Sequence, residues 1–156
     1  MIFDQLTFIR NGTLKVFEVT DEKHLTVTPK GFNNHILWNL GHIYVIQERM
    51  VFPAMSEAPQ LNDTYLQLFN KNTSPANWTT TLPEINELKQ LLRNQTGRIK
   101  ASFQDRLDEK LVEPFTLFKV LTFQTLRDVL TFTIFHEGMH LETMKIYYRM
   151  LNADHK

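Results

Sequence analysis

Two histidines, His136 and His140, stand four positions apart in the stretch Phe135-His136-Glu137-Gly138-Met139-His140, and a third, His42, lies far upstream. Residues at i and i+4 of a helix project from one face, one turn above the other, which is how a helix offers two imidazole nitrogens to one metal ion. Leu126, Leu130, Thr133, Glu137, His140, Met144, Tyr147 and Leu151 step by four and three around the pair, the seam that a bundle helix turns inward. That seam is apolar at its ends and polar in its middle. Burying unpartnered Thr, Glu and His costs about 1–3 kcal/mol each, so a compensating group is expected, and a metal would serve.

Three neutral imidazoles with an open position suit Zn²⁺ or Ni²⁺, and would make an acidified water or an electrophilic centre. The second nitrogen of a ligating histidine is usually held by a carboxylate or carbonyl. Glu137, Thr133, Thr143 and Tyr147 are the candidates on the same helix, and Trp38, Thr133, Thr143 and Tyr147 are candidate pocket residues. Glu137 itself is expected to orient a ligand or act as general base. The other histidines read as structural: His24 in a polar loop, His155 in the tail, and His35 as a cap or pocket-lip residue about 10 Å along its helix from His42.

Three other readings stand beside this one. The histidines can be core residues satisfied by Glu137, Thr133 and buried water. His-Glu-Gly-Met-His is also an H-E-x-x-H zinc-protease helix, but that class finds its third ligand downstream, and the extended form needs Gly at Thr143 and His at Ile146. A di-iron carboxylate bundle needs E-x-x-H on two helices, and Asn39 stands where the second glutamate belongs.

Helices must hold these residues. Ile2, Leu6, Ile9, Thr13 and Val16 predict helix one at about 2–19, with Gly12 tolerated inside it. Helix two is expected from Phe32-Asn33-Asn34, capped by an Asn, to about Phe52, with Gly41 allowing a neighbour close to the backbone beside His42. The periodicity lapses from Pro53 to about Leu82, a long connection with one short helix near Asn62–Phe69. Thr81-Leu82-Pro83-Glu84 reads as a capping box opening helix three, which runs to about Leu107. A polar stretch with Pro114 leads to helix four at about 122–151. The expectation is an all-α, four-helix bundle with a long crossover connection containing a short extra helix, in a single domain over 1–156.

Composition narrows the partners. Seventeen basic and seventeen acidic side chains cancel, and the basic residues are scattered, which gives no support to a nucleic-acid-binding role. With no cysteine, a thiolate nucleophile, a Cys-based zinc site and disulfides are excluded. No apolar run reaches the roughly 20 residues that cross a bilayer, and no basic-then-apolar leader opens the sequence, so no membrane association and a cytoplasmic location are expected.

The stretches Asn34-His35-Ile36-Leu37-Trp38-Asn39-Leu40-Gly41-His42-Ile43, Tyr65-Leu66-Gln67-Leu68-Phe69 and His136-Glu137-Gly138-Met139-His140 resemble, in order and spacing, the DinB-like superfamily. The resemblance covers essentially the whole chain. It implies a four-helix bundle with a divalent metal held by one histidine of helix two and the HxxxH pair of the last helix, here His42, His136 and His140. It further implies a homodimer, and a metal-dependent thiol S-transferase or isomerase acting on a small-molecule substrate, with a low-molecular-weight thiol as cosubstrate; a water activated at the open metal position would make it a hydrolase instead. Leu141-Glu142-Thr143 stand where the family often has a Gly and a Gln. A different class of function is a non-catalytic bundle whose metal, if any, only rigidifies the core or is sensed; a structural site would close its coordination with a fourth protein ligand.

Overall fold

On all four long helices the buried stripe changes from apolar to polar and back again. The computed structural model, describing residues 1–153, gives these helices as α1 (Ile2–Val19), α3 (Ile36–Ala54), α5 (Ile85–Phe103) and α6 (Leu126–Leu151). Short helices α2 (Glu22–Leu25) and α4 (Asp63–Phe69) and a 3-10 turn (Pro75–Asn77) lie in the connections. α6 packs against α1 and α3, and α5 packs against the same two helices, so the four form a bundle. The all-α expectation holds, as does the short helix in the crossover.

The polar change has a structural counterpart. One apolar cluster takes in Val16, Leu40, Leu92 and Leu141, and a second takes in Leu6, Val51, Ile99 and Leu130. The buried polar residues Arg10, Gln47, Gln95, Thr133 and Glu137 fall between these positions on their helices. Each half of the core is thus an ordinary hydrophobic layer, and the polar band must satisfy itself internally.

Gly12, inside α1, is explained by Leu141: a Cβ there would come within 2.9 Å of the leucine's Cδ2. The cost of a helical glycine, about 1 kcal/mol, is set against this close approach of α1 and α6.

Several boundaries differ from expectation. α3 is capped by His35, whose Nδ1 accepts from Trp38 N at 3.0 Å, rather than by an Asn. The Thr81 capping box does not form; α5 starts at Ile85 after Glu84, with no side-chain cap. The residue before a proline is steered to extended backbone, so Leu82 resists the first helical position. α5 also ends at Phe103, earlier than expected.

The larger correction lies between α5 and α6. The stretch read as polar connection and as the start of helix four is an antiparallel hairpin, β1 (Lys110–Leu117) and β2 (Leu121–Thr125). Phe115 pairs with Phe123 and Leu117 with Leu121, and the register shifts in the part of β1 that holds Pro114, which has no N–H for a ladder. α6 therefore begins at Leu126. Its true capping box is Thr125 with Asp128: the Thr125 hydroxyl accepts from Asp128 N, and Asp128 Oδ2 accepts from Thr125 N at 2.9 Å. Among the described residues, no helix is long and apolar enough to cross a membrane.

Candidate metal centre

His42 of α3 and His136 and His140 of α6 meet on facing helices, with one ligating nitrogen of each within 4.8 Å of the other two. The Nε2 atoms of His136 and His140 are 3.2 Å apart. Two nitrogens each about 2.1 Å from one ion at a tetrahedral angle would be about 3.4 Å apart, so the spacing suits a metal. Among the described residues no fourth His, Cys, Asp or Glu joins the group.

The far nitrogens fix which tautomers are present. His42 Nδ1 lies 2.7 Å from the carbonyl oxygen of Phe69, and His140 Nδ1 lies 2.8 Å from Asn39 Oδ1. Each acceptor requires an N–H on Nδ1, which leaves the Nε2 lone pair facing the centre. Asn39 is held in turn, its Nδ2 donating to His35 O at 2.9 Å, so its oxygen is the atom turned to His140. Phe69 reaches His42 because residue 41 is glycine: a Cβ there would sit 2.3 Å from the Phe69 ring. The Trp38 indole stacks on His42 with centroids 4.5 Å apart and backs the ligand from the other side.

Burial keeps all three imidazoles neutral. It is the main cause holding His42 below the ordinary histidine range, His136 at about 4 and His140 at about 3. The neighbouring imidazoles add to the shift at His136 and His140. Neutral imidazole is the form that ligates a metal.

Glu137 has a different place from the one its position between two ligands suggests. Its carboxylate is buried and accepts from Arg10 Nε at 2.7 Å, Arg10 Nη2 at 2.9 Å and Thr13 Oγ1 at 2.7 Å. It is neither an orienting group for the triad nor a base beside it. Thr133, in the same seam, donates to Leu130 O and accepts from Gln47 Nε2. The polar middle of the seam is therefore compensated by α1 and α3, and Arg10, the group that does most of this, carries no pattern in sequence beyond sitting on an apolar face. Thr143 donates to Met139 O and Tyr147 packs edge-on to Phe32 in the core. None of Trp38, Thr133, Thr143 or Tyr147 lines the cleft at the triad. His155 lies outside the described residues.

A cleft of about 340 Å³ opens on His42 and His136. Its walls include Phe132 of α6 and Phe115, Leu117 and Phe118 of the hairpin. The element missed in sequence thus supplies much of the space in front of the histidines.

A helical bundle with three histidines converging from two facing helices, two of them lining a cleft, is the arrangement of a class of metal-binding bundles. The sequence profile of the DinB superfamily matches residues 5–144, and the chain belongs to that superfamily. No curated protein matches the sequence.

Proposed function

We propose that this chain is a divalent-metal-dependent enzyme that acts on a small molecule, transferring a thiol to an electrophile or hydrolysing a bond, with Zn²⁺ or Ni²⁺ on His42, His136 and His140. The observation that carries the reading is the open side of the triad: three nitrogens converge, two of the histidines, His42 and His136, line a walled cleft, and no fourth protein ligand joins them among the described residues. A structural site would close that side. A divalent ion there would supply Lewis acidity, lowering the pKa of a thiol or water brought to it.

The chain's own contribution is positional. Phe69 O and Asn39 Oδ1 hold protons on Nδ1 of His42 and His140, and Phe115, Phe118 and Phe132 give the cleft beside His42 and His136 apolar walls. Glu137 is committed to Arg10, which counts against the H-E-x-x-H protease reading, because that chemistry needs the glutamate free beside the metal. Homodimerisation belongs to the same proposal on the strength of the family resemblance; a monomer mass by light scattering would remove it.

The test is metal content of protein purified without a histidine tag. One equivalent of Zn²⁺ or Ni²⁺ is expected, lost in His42→Ala and His140→Ala, and held about 10–100-fold more weakly in Asn39→Ala. A chain that takes up no divalent metal even when supplied has a core cluster, not a site. Metal-loaded protein that accelerates neither thiol alkylation nor ester hydrolysis would instead be the non-catalytic bundle.

A further inference from the structure

The charged groups at the cleft are not accounted for by metal ligation. Arg49 and Lys71 line it, both exposed, and among the described residues no carboxylate lines it. Neither cation forms an ion pair among the described residues. Glu113 lies with Arg49 along a neighbouring groove and does not pair with it. One amide oxygen organises both cations: Asn70 Oδ1 accepts from Arg49 Nη1 and from the backbone N–H of Lys71. The guanidinium keeps its other donors, and the Lys71 ammonium sits 5.6 Å from the centroid of the Phe118 ring.

The hairpin tip adds a second observation. Phe118 and Lys119 occupy the left-handed region, at φ 52° and 61°. A tight hairpin turn asks for this conformation and normally takes Asn-Gly there; side chains of this bulk rarely adopt it. The strained turn carries a largely exposed phenylalanine at the mouth of the cleft, beside Lys71. Strain of this kind persists where the surrounding structure or a function holds it, and a large exposed aromatic ring at an apolar cleft is suited to contact a ligand.

We infer that the molecule taken by this cleft has a flat apolar body, aromatic in kind, and one carboxylate group. Arg49 and Lys71 take the carboxylate, the guanidinium fork matching its two oxygens, and Phe115, Phe118 and Phe132 take the body. A volume of about 340 Å³ fits a small molecule of this class. That this molecule is a substrate rests on the metal-site proposal, but the anion contacts come from outside the triad and do not require the metal.

The experiment is a calorimetric titration at low salt with 3-phenylpropionate and its neutral isostere 3-phenylpropionamide, using the full chain both chelator-treated and Zn²⁺-loaded. The carboxylate is expected to bind about three- to tenfold more tightly than the amide in both forms, since two cations act on it but both are exposed and solvent weakens each pair. Arg49→Met with Lys71→Met should bring the two ligands to equal affinity, and Phe118→Ser should weaken both alike. Equal affinities in the parent chain, or a preference that survives the double substitution, would overturn the inference. So would a preference seen only with Zn²⁺ and abolished by His136→Ala, which would put the carboxylate on the metal. Zn²⁺ uptake is measured separately, so failure of the metal reading leaves the carboxylate test standing.

Discussion

Glu137 is the residue whose role changes most between sequence and structure. Beside two metal ligands it invites a catalytic reading, yet its oxygens are filled by Arg10 and Thr13. Removing one partner of a buried ion pair strands the other charge and costs about 3–5 kcal/mol. Glu137→Ala and Arg10→Ala should therefore each lower unfolding stability by that amount in urea titrations. A Glu137→Ala protein of parental stability would mean that the pair is not formed. Arg10→Ala separates the roles further: its effect should fall on stability, since it lies apart from the cleft lining.

The elements bring together what no single motif displays. Gly41 lets α4 approach α3 until the Phe69 carbonyl reaches His42, so Gly41→Ala is expected to do two things at once. Overpacking should cost about 1–3 kcal/mol, and loss of the carbonyl contact should weaken metal uptake along with it. Thermal melts and metal titration of one variant check both; a variant that melts earlier but binds metal normally would separate the contact from the site. The long helices were legible because their stripes repeat every three or four residues, and His136 and His140 because their spacing matches that repeat. The hairpin was not. Leu111, Phe115, Leu117, Leu121 and Phe123 alternate only over short runs, Pro114 interrupts β1, and the turn is Phe118-Lys119 where Asn-Gly would have announced it. Thr125 and Asp128 did carry a readable helix start. Phe69 O was out of reach of any sequence argument, since a backbone carbonyl has no residue type.

At the scale of the whole molecule the buried imidazoles tie stability to pH. The unfolded chain titrates its histidines near 6.5, while His136 and His140 in the fold hold out to about 4 and about 3. Between these values the unfolded state binds more protons, so the contribution is fully present above pH 6.5 and is lost as pH falls towards 4. Metal-free protein should show a steadily decreasing Tm over that range, by calorimetry at fixed ionic strength, and the slope should be shallower in His140→Leu. A profile that is flat from pH 6.5 to 4.5 would rule this out.

The polar band has a consequence for how the chain comes off the ribosome. α1, α3 and α5 precede α6 in the chain, and without α6 the Arg10 guanidinium keeps Leu92 O, Gln95 and Gln47 but lacks its ion-pair partner Glu137, the buried carboxylate of Glu48 being bound to Gln95 and Arg98. Burying a cation on those terms is costly. A chain truncated before α6 is expected to stay open to water across its middle, and α6 brings Glu137 to Arg10 on the same helix that brings His136 and His140 to His42. Closure of the polar band and assembly of the histidine triad are thus expected to be coupled, and a chain truncated before α6 should expose core surface of the kind chaperones hold.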